Sequence, residues 1–178
     1  MKADSLEQEI FREHSKRQVV KIGNWIGRNE RRFGQLMKCY LRGDRVLSQR
    51  SAWIMGYCGE RNPYLLNRWI PSILKKVRQP GNHIAVKRNA LRVLQFIETP
   101  RWLLGETVSL CFDELENANT PVAVRVYAMN ILLTLLDDEP DLANEIIAVT
   151  RQLLPHAGPG LRVAIRRALK KLDKAVKT

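Results

Sequence analysis

The stretch IAVKRNALRVLQFI, residues 84–97, decides the fold of this chain because it recurs along the sequence. Aligned on Ala90, the other copies are VLSQRSAWIMG around Ala52, VAVRVYAMNIL around Ala128, GLRVAIRRAL around Ala164 and a fainter KRQVVKIGNWI around Val19. Successive copies lie 33, 38, 38 and 36 residues apart. In each copy a basic residue precedes the aligned position, and apolar residues follow it at helical spacing. The pattern predicts a repeated amphipathic helix.

A second apolar helix is predicted after each of the middle copies. It follows a helix breaker in each case: Asn62-Pro63, Thr99-Pro100 and Glu139-Pro140. We expect Asn62 and Thr99 to act as N-caps, and Pro71 to kink its helix after Asn67. A pair of helices cannot bury its apolar faces alone, but stacked pairs can. The sequence therefore predicts an all-α superhelix.

The copies resemble the inner helices of HEAT-like repeats. The resemblance is carried by the pattern R-x-A-x-x-x-L, as in Arg50, Ala52 and Gly56 and again in Arg88, Ala90 and Leu94. The segments QRSAWIMGYCGE, KRNALRVLQFIE and PVAVRVYAMNIL are similar to a group of short bacterial HEAT-like proteins. Some members of that group carry the label adenylosuccinate lyase. That enzyme family needs a serine loop, GSSxMPxKxNP, and this chain has none, so we do not extend the label to it.

The resemblance implies a right-handed α-α superhelix of about five helix pairs. We expect one domain over residues 1–178, with a capping helix at each end. The predicted parts are a capping helix 1–15, repeats 16–45, 46–83, 84–120 and 121–158, and a capping helix 159–178.

Charge is the strongest sign of a binding partner. The net charge is +12 and the pI is about 10.1. Residues 1–45, 46–83 and 159–178 carry +5, +5 and +6, whereas residues 84–120 and 121–158 carry −1 and −3. Two basic ends favour a polyanionic partner, either an acidic protein or a nucleic acid.

Other features limit the class of protein. No apolar run approaches the roughly 20 residues that span a bilayer, and the charged N-terminus is unlike a signal peptide. Cys39, Cys58 and Cys111 form no CxxC pair, so we expect buried thiols in a reducing, cytoplasmic setting. No metal or cofactor is predicted.

A basic stripe is the main candidate site. Residues two before and two after the aligned position share a helix face, and we expect that face to be concave. The stripe and its neighbouring aromatic pair comprise nine candidate binding residues: Arg17, Lys21, Arg50, Trp53, Tyr57, Arg88, Arg92, Arg162 and Arg166. Such a stripe suits phosphates or carboxylates.

Structural roles compete with binding for these residues. The first arginine of a HEAT-like inner helix often pairs with an acid in the preceding turn, and the pairs expected are Asp44–Arg50 and Glu116–Arg125.

The other aromatic and basic groups also have structural alternatives. Trp69 and Trp102 fall on apolar faces, so we expect both in the core. The C-terminal basic run is either a solvated face, part of a polyanion site or a lipid-contacting helix face; it comprises Arg162, Arg166, Arg167, Lys170, Lys171, Lys174 and Lys177.

Catalytic motifs are missing from the sequence. It has no HExxH, GxSxG or P-loop, and its histidines, His14, His83 and His156, are far apart. HEAT-like DNA glycosylases use an Asp with Trp and Arg nearby. Asp113 is the only helical Asp near the middle of the chain, but Ser109 rather than Trp stands one turn before it. We therefore expect a non-catalytic scaffold that holds an acidic protein. Nucleic-acid binding is the alternative, and a glycosylase is a third.

Overall fold

The computed structural model describes the backbone of residues 3–175 and the side chains of residues 6–173. That part of the chain is helical and contains no strand. Its α-helices are α1 Ala3–Arg12, α2 Lys16–Ile26, α3 Glu30–Arg42, α4 Arg45–Arg61, α5 Ile70–Arg78, α6 Ile84–Leu94, α7 Leu104–Glu116, α8 Val122–Thr134, α9 Leu142–Leu153 and α10 Pro159–Ala175. Short 3-10 segments are Pro63–Trp69, Arg101–Leu103, Leu135–Asp137 and Leu154–His156. The all-α prediction is confirmed, and ten helices in this range amount to about five pairs.

The chain divides into two compact units, Met1–Glu98 and Thr99–Thr178. The division falls within the third predicted repeat, after its inner helix α6 and before α7. The prediction of a single domain over the whole chain stays a prediction.

Side-chain N-caps start the helices of the N-terminal unit. Ser15 Oγ accepts the Gln18 N–H at 3.1 Å, Asn29 Oδ1 accepts that of Arg32 at 3.0 Å, and Asp44 Oδ1 accepts that of Leu47 at 2.7 Å. Each cap satisfies a backbone donor that the first turn leaves without a partner, so each helix starts where the sequence supplies an acceptor.

Helix α4 is the centre of the N-terminal unit, since it contacts α1, α2, α3 and α6. Helix α3 shows why the contact forms: Phe33, Leu36, Met37 and Tyr40 recur on one face, and all four are fully buried. The inner helices α2, α4 and α6 thus stack in chain order beneath an outer layer of α3 and α5.

The C-terminal unit repeats this arrangement with fewer helices. Helix α8 contacts α7, α9 and α10, and its buried face includes Val124, Ala128, Ile131 and Leu132. The buried hydroxyl of Thr120 donates to Glu114 Oε2 at 3.0 Å in the turn before α8.

The aligned small residues lie where the stacking model requires them. Ala52, Ala90 and Ala128 are fully buried, and Val19 is nearly so. A small side chain there lets the neighbouring helix approach closely. Ala164 on α10 is only half-buried, which is the first sign that the last copy packs differently.

Three details of the helix ends differ from the sequence prediction. Asn62 makes no capping bond; its amide donates instead to Gly27 O at 3.3 Å. Thr99 is not an N-cap, because Pro100 precedes the 3-10 segment. The second helix of repeat 2 breaks after Trp69 rather than Asn67, because Pro71 lies in the first turn of a new helix, where its missing N–H costs no bond.

Candidate functional site

The first two cations of the predicted stripe are paired with acids of α1 and the turn after it. Arg17 Nη2 lies 3.0 Å from Glu13 Oε2, and Lys21 Nζ lies 2.8 Å from Glu9 Oε2. The Lys21 and Gln18 hydrogen bonds hold the pKa of Glu9 below its usual value, and Arg17 does the same for the pKa of Glu13. These pairs are exposed, so they neutralise the local charge but add little stability.

Arg50 binds the C-terminal end of α1. Its Nη1 donates to Phe11 O at 2.9 Å and to Ile10 O at 3.3 Å, and its guanidinium lies 5.4 Å from the centre of the Phe11 ring. The carbonyls in the last turn of a helix have no partner within it and carry partial negative charge. The expected Asp44–Arg50 pair is therefore wrong, and Arg50 caps a helix instead. Arg125 likewise donates to Leu115 O at 2.8 Å rather than to Glu116.

The two stripe residues of α6 differ from each other. Arg92 Nε lies 3.0 Å from Glu60 Oε1, but its N–H does not point at that oxygen, so the contact is an ion pair without a hydrogen bond. Arg88 is exposed and contacts no acid among the side chains of residues 6–173. In the C-terminal unit Arg162 and Arg166 are exposed as well.

The aromatic pair of α4 is half-buried and lies between neighbours. Trp53 meets the His14 ring edge-on at 5.5 Å. Tyr57 Oη donates to Asn24 Oδ1 at 3.2 Å, and its ring lies on Gly23 of α2, where a Cβ would overlap it. Trp69 is half-buried. The expectation that Trp102 lies in the core is wrong, since 74% of it is exposed.

A second basic surface, which the sequence analysis missed, surrounds the turn between α2 and α3. Gly27 reverses the chain there with φ 51, a value that other residues rarely adopt. Asn62 and Tyr64 bind this turn from the next repeat: Asn62 Nδ2 donates to Gly27 O, and Tyr64 Oη donates to Arg28 O at 3.1 Å. The ends of two inner helices are thereby held side by side.

Arginines stack on aromatic rings around this turn. The Arg61 guanidinium lies 3.6 Å from the centre of the Tyr57 ring, that of Arg32 lies 4.8 Å from Trp25, and that of Arg68 lies 5.1 Å from Trp69. Arg32 and Arg61 also donate to carbonyls, Trp25 O at 2.6 Å and Tyr57 O at 3.4 Å. We call this surface the turn cluster; it comprises Trp25, Arg28, Arg31, Arg32, Tyr57, Arg61, Tyr64, Arg68 and Trp69.

The turn cluster has a surplus of unpaired charge. None of its five arginines forms an ion pair with any side chain that the structure describes, and all five are exposed. A guanidinium has five N–H donors, so the carbonyl bonds of Arg32 and Arg61 leave most of their donors facing solvent. Stacking limits the rotation of Arg32, Arg61 and Arg68, which prepares these three side chains to bind a carboxylate or phosphate in two-pronged geometry.

A sequence signal for the turn cluster did exist. Arg28-Asn29 and Arg61-Asn62 lie 33 residues apart, the same step that separates Val19 from Ala52. Two arginines at equivalent positions of consecutive repeats come together when the repeats stack.

Catalytic and metal chemistry have little support in the described residues. No group of three or more His, Cys, Asp or Glu among them could hold a metal ion. Asp113 is exposed on α7, away from any described cavity. Cys58 and Cys111 are buried as predicted, whereas Cys39 is half-buried; burial raises the pKa of the Cys58 thiol to about 12. No helix in the described range is long and apolar enough to cross a membrane.

Stacked pairs of helices, repeated at a nearly constant step, define an α-helical repeat protein. A family model described as HEAT repeat domain matches residues 6–172, and the chain therefore belongs to the HEAT repeat family. HEAT repeats commonly mediate protein–protein interaction or scaffolding. No curated protein and no solved structure matches the chain.

Proposed function

We propose that this protein is a non-catalytic scaffold that holds an acidic protein partner on the N-terminal unit, with the turn cluster as the main contact. The observation that carries the proposal is the group of five exposed arginines without a carboxylate partner, three of them stacked on aromatic rings. Arginine, tryptophan and tyrosine are the residues that contribute most binding energy at protein interfaces.

The predicted stripe contributes less to this surface than the turn cluster does. Arg17, Lys21 and Arg92 already lie beside carboxylates, so a partner would have to compete with Glu13, Glu9 and Glu60 for them. Arg88 is the stripe cation of this unit that a partner could reach without such an exchange. Arg162 and Arg166 belong to the C-terminal unit, where they are exposed cations separate from this surface.

Binding of single-stranded nucleic acid is the second candidate. The observation in its favour is again the combination of arginines with aromatic rings, because phosphates pair with the first and bases stack on the second. Tyr64 is 45% exposed and offers part of its ring. The two candidates differ in salt dependence: each neutralised phosphate changes the slope of log K against log salt by roughly 0.7 for a single strand.

The test measures binding of a labelled Asp/Glu-rich peptide and of a labelled single-stranded oligonucleotide by fluorescence anisotropy, at low and at about 0.15 M salt. The cluster variant is Arg28→Gln/Arg31→Gln/Arg68→Gln, three exposed positions that make no described capping bond. Its control is Lys38→Gln/Arg42→Gln/Lys75→Gln, which removes the same charge from exposed positions outside the cluster.

We expect the peptide to bind at the higher salt concentration, and the cluster variant to weaken it roughly tenfold or more while the control does not. Oligonucleotide binding with a steep salt slope, lost in the cluster variant, would favour the second candidate. Equal weakening by both triple variants, or no binding of either probe, would overturn both, because the charge would then be generic.

A further inference from the structure

The C-terminal unit contains an open groove between the inner helix α8 and the last helix α10. The groove encloses about 390 Å³. Leu133 of α8 and Ala164 and Ala168 of α10 give it an apolar floor, and Arg167 and Lys171 of α10 form one wall. No carboxylate among the described side chains lines it.

The corresponding grooves of the N-terminal unit are filled by side chains. Between α2 and α4 the Tyr57 ring lies on Gly23, and between α4 and α6 the Arg92 guanidinium lies against Gly56, where a Cβ would come within 2.6 Å of Nη2. Between α8 and α10, in contrast, an open space of about 390 Å³ remains.

Two cations act together at the groove. Arg167 and Lys171 are four residues apart on α10, so they lie one above the other on the same helix face. Both are exposed, and neither pairs with an acid in the described range. Across the groove, Thr134 uses its hydroxyl hydrogen on Ile131 O at 2.7 Å, which leaves its oxygen as an acceptor.

We propose that the groove binds a small amphiphilic anion, with its anionic head between Arg167 and Lys171 and its apolar tail on Leu133, Ala164 and Ala168. Small-molecule sites are mostly apolar clefts with a few well-placed polar groups, and this groove has that composition. At about 30 Å³ for each water-sized group, its volume holds roughly a dozen non-hydrogen atoms. A medium-chain carboxylate such as decanoate has that size.

This site belongs to the C-terminal unit and does not depend on the turn cluster. Its failure and the failure of the proposed scaffold function are consequently separate results.

Isothermal titration calorimetry with decanoate and with uncharged decanol, both below their aggregation concentrations, tests the proposal on the full chain. We expect saturable one-to-one binding of decanoate, and weaker binding of decanol by roughly tenfold or more because it lacks the charge. Two variants test the two parts of the site separately. Arg167→Gln/Lys171→Gln removes the cations, and Ala164→Leu places a larger side chain on the apolar floor.

The matched control is Arg151→Gln/Lys170→Gln, which removes equal charge from exposed positions that do not line the groove. We expect both site variants to weaken decanoate binding roughly tenfold and the control to leave it unchanged. Far-UV circular dichroism shows whether each variant is folded. Equal affinity for decanol and decanoate, equal loss in the control, or no decanoate binding by the folded wild type would overturn the proposal.

Discussion

The two units use the same repeat but treat the space between their inner helices differently. In the N-terminal unit the Tyr57 ring packs against Gly23 and the Arg92 guanidinium packs against Gly56, so these two side chains fill the grooves. In the C-terminal unit the groove beside α10 stays open, with Arg167 and Lys171 at its edge. The comparison shows that the repeat sets the positions of the helices, while individual side chains determine whether the groove between two helices is filled or open.

The largest effect on stability should come from adding a methyl group to Gly23 in the N-terminal unit, and the same change in the C-terminal unit should act in the opposite direction. Gly23→Ala would force the Tyr57 ring to move and to lose its bond to Asn24, so we expect a loss of about 1–3 kcal/mol in the free energy of unfolding. At Gly105 of α7 a Cβ meets nothing within 4 Å, and Gly105→Ala should stabilise the protein by about 0.5–1 kcal/mol.

Urea unfolding followed by far-UV circular dichroism measures both changes. The pair of variants serves as its own control, because each makes the same chemical change within a helix. If Gly23→Ala stabilised the protein as much as Gly105→Ala, the Tyr57 ring would not pack against Gly23 as described.

A smaller effect should separate the structural arginines from the exposed ones. Arg50→Ala removes the hydrogen bonds to Ile10 O and Phe11 O, and we expect a loss of about 1–2 kcal/mol in stability. Arg88→Ala removes an exposed side chain and should change stability by less than about 0.5 kcal/mol. Equal losses in the two variants, measured by the same urea unfolding, would mean that the stripe acts as one structural unit.

The smallest effect concerns pH and the N-cap of α6. His83 Nδ1 accepts the Ala85 N–H at 3.1 Å; burial, with Arg45, Arg88 and His14 nearby, lowers the pKa of His83 below its ordinary 6.5. The folded state therefore binds the proton less readily than the unfolded state does. The stabilisation is complete above pH 6.5 and is lost as the pH falls through the lower folded-state pKa.

His83→Asn keeps a capping acceptor but does not titrate. We expect wild type to lose more stability than His83→Asn when urea unfolding is compared at about pH 7.5 and about pH 5.5. His156 is present in both proteins and cancels in the comparison. Parallel losses would show that the His83 cap contributes nothing to the pH dependence.

Much of the fold could be predicted from the sequence, because it depends on periodicity and on small residues. The recurrence around Ala52, Ala90 and Ala128 indicated buried helix contacts, and all three side chains are fully buried. Helix ends were harder to predict. Asn62 was assigned to a local cap, but its amide binds Gly27 of the preceding repeat, a contact that appears only after the repeats have stacked.

The candidate site was less predictable than the fold, for a physical reason. The sequence shows which residues of the stripe share a helix face, but it does not show which groups stand opposite them. Lys21 faces Glu9 and Arg50 faces the end of α1, at sequence separations of 12 and 39–40 residues. Lys174 and Lys177 of the C-terminal basic run lie outside the side chains described. Trp102 falls on an apolar face in the sequence pattern, which predicts a buried side chain, yet it is exposed.

The bond from Arg50 to α1 also has a consequence for the order of events during synthesis. The sequence of helix α1 ends at Arg12, but Arg50, which donates hydrogen bonds to the carbonyls of Ile10 and Phe11, becomes available only when residue 50 has left the ribosome. Until then the helix lacks both its cap and the surface of α4 on which it packs. Helix α1 is thus secured only after α2, α3 and part of α4 have been translated, and a nascent chain interrupted before Arg50 leaves the end of α1 without its cap.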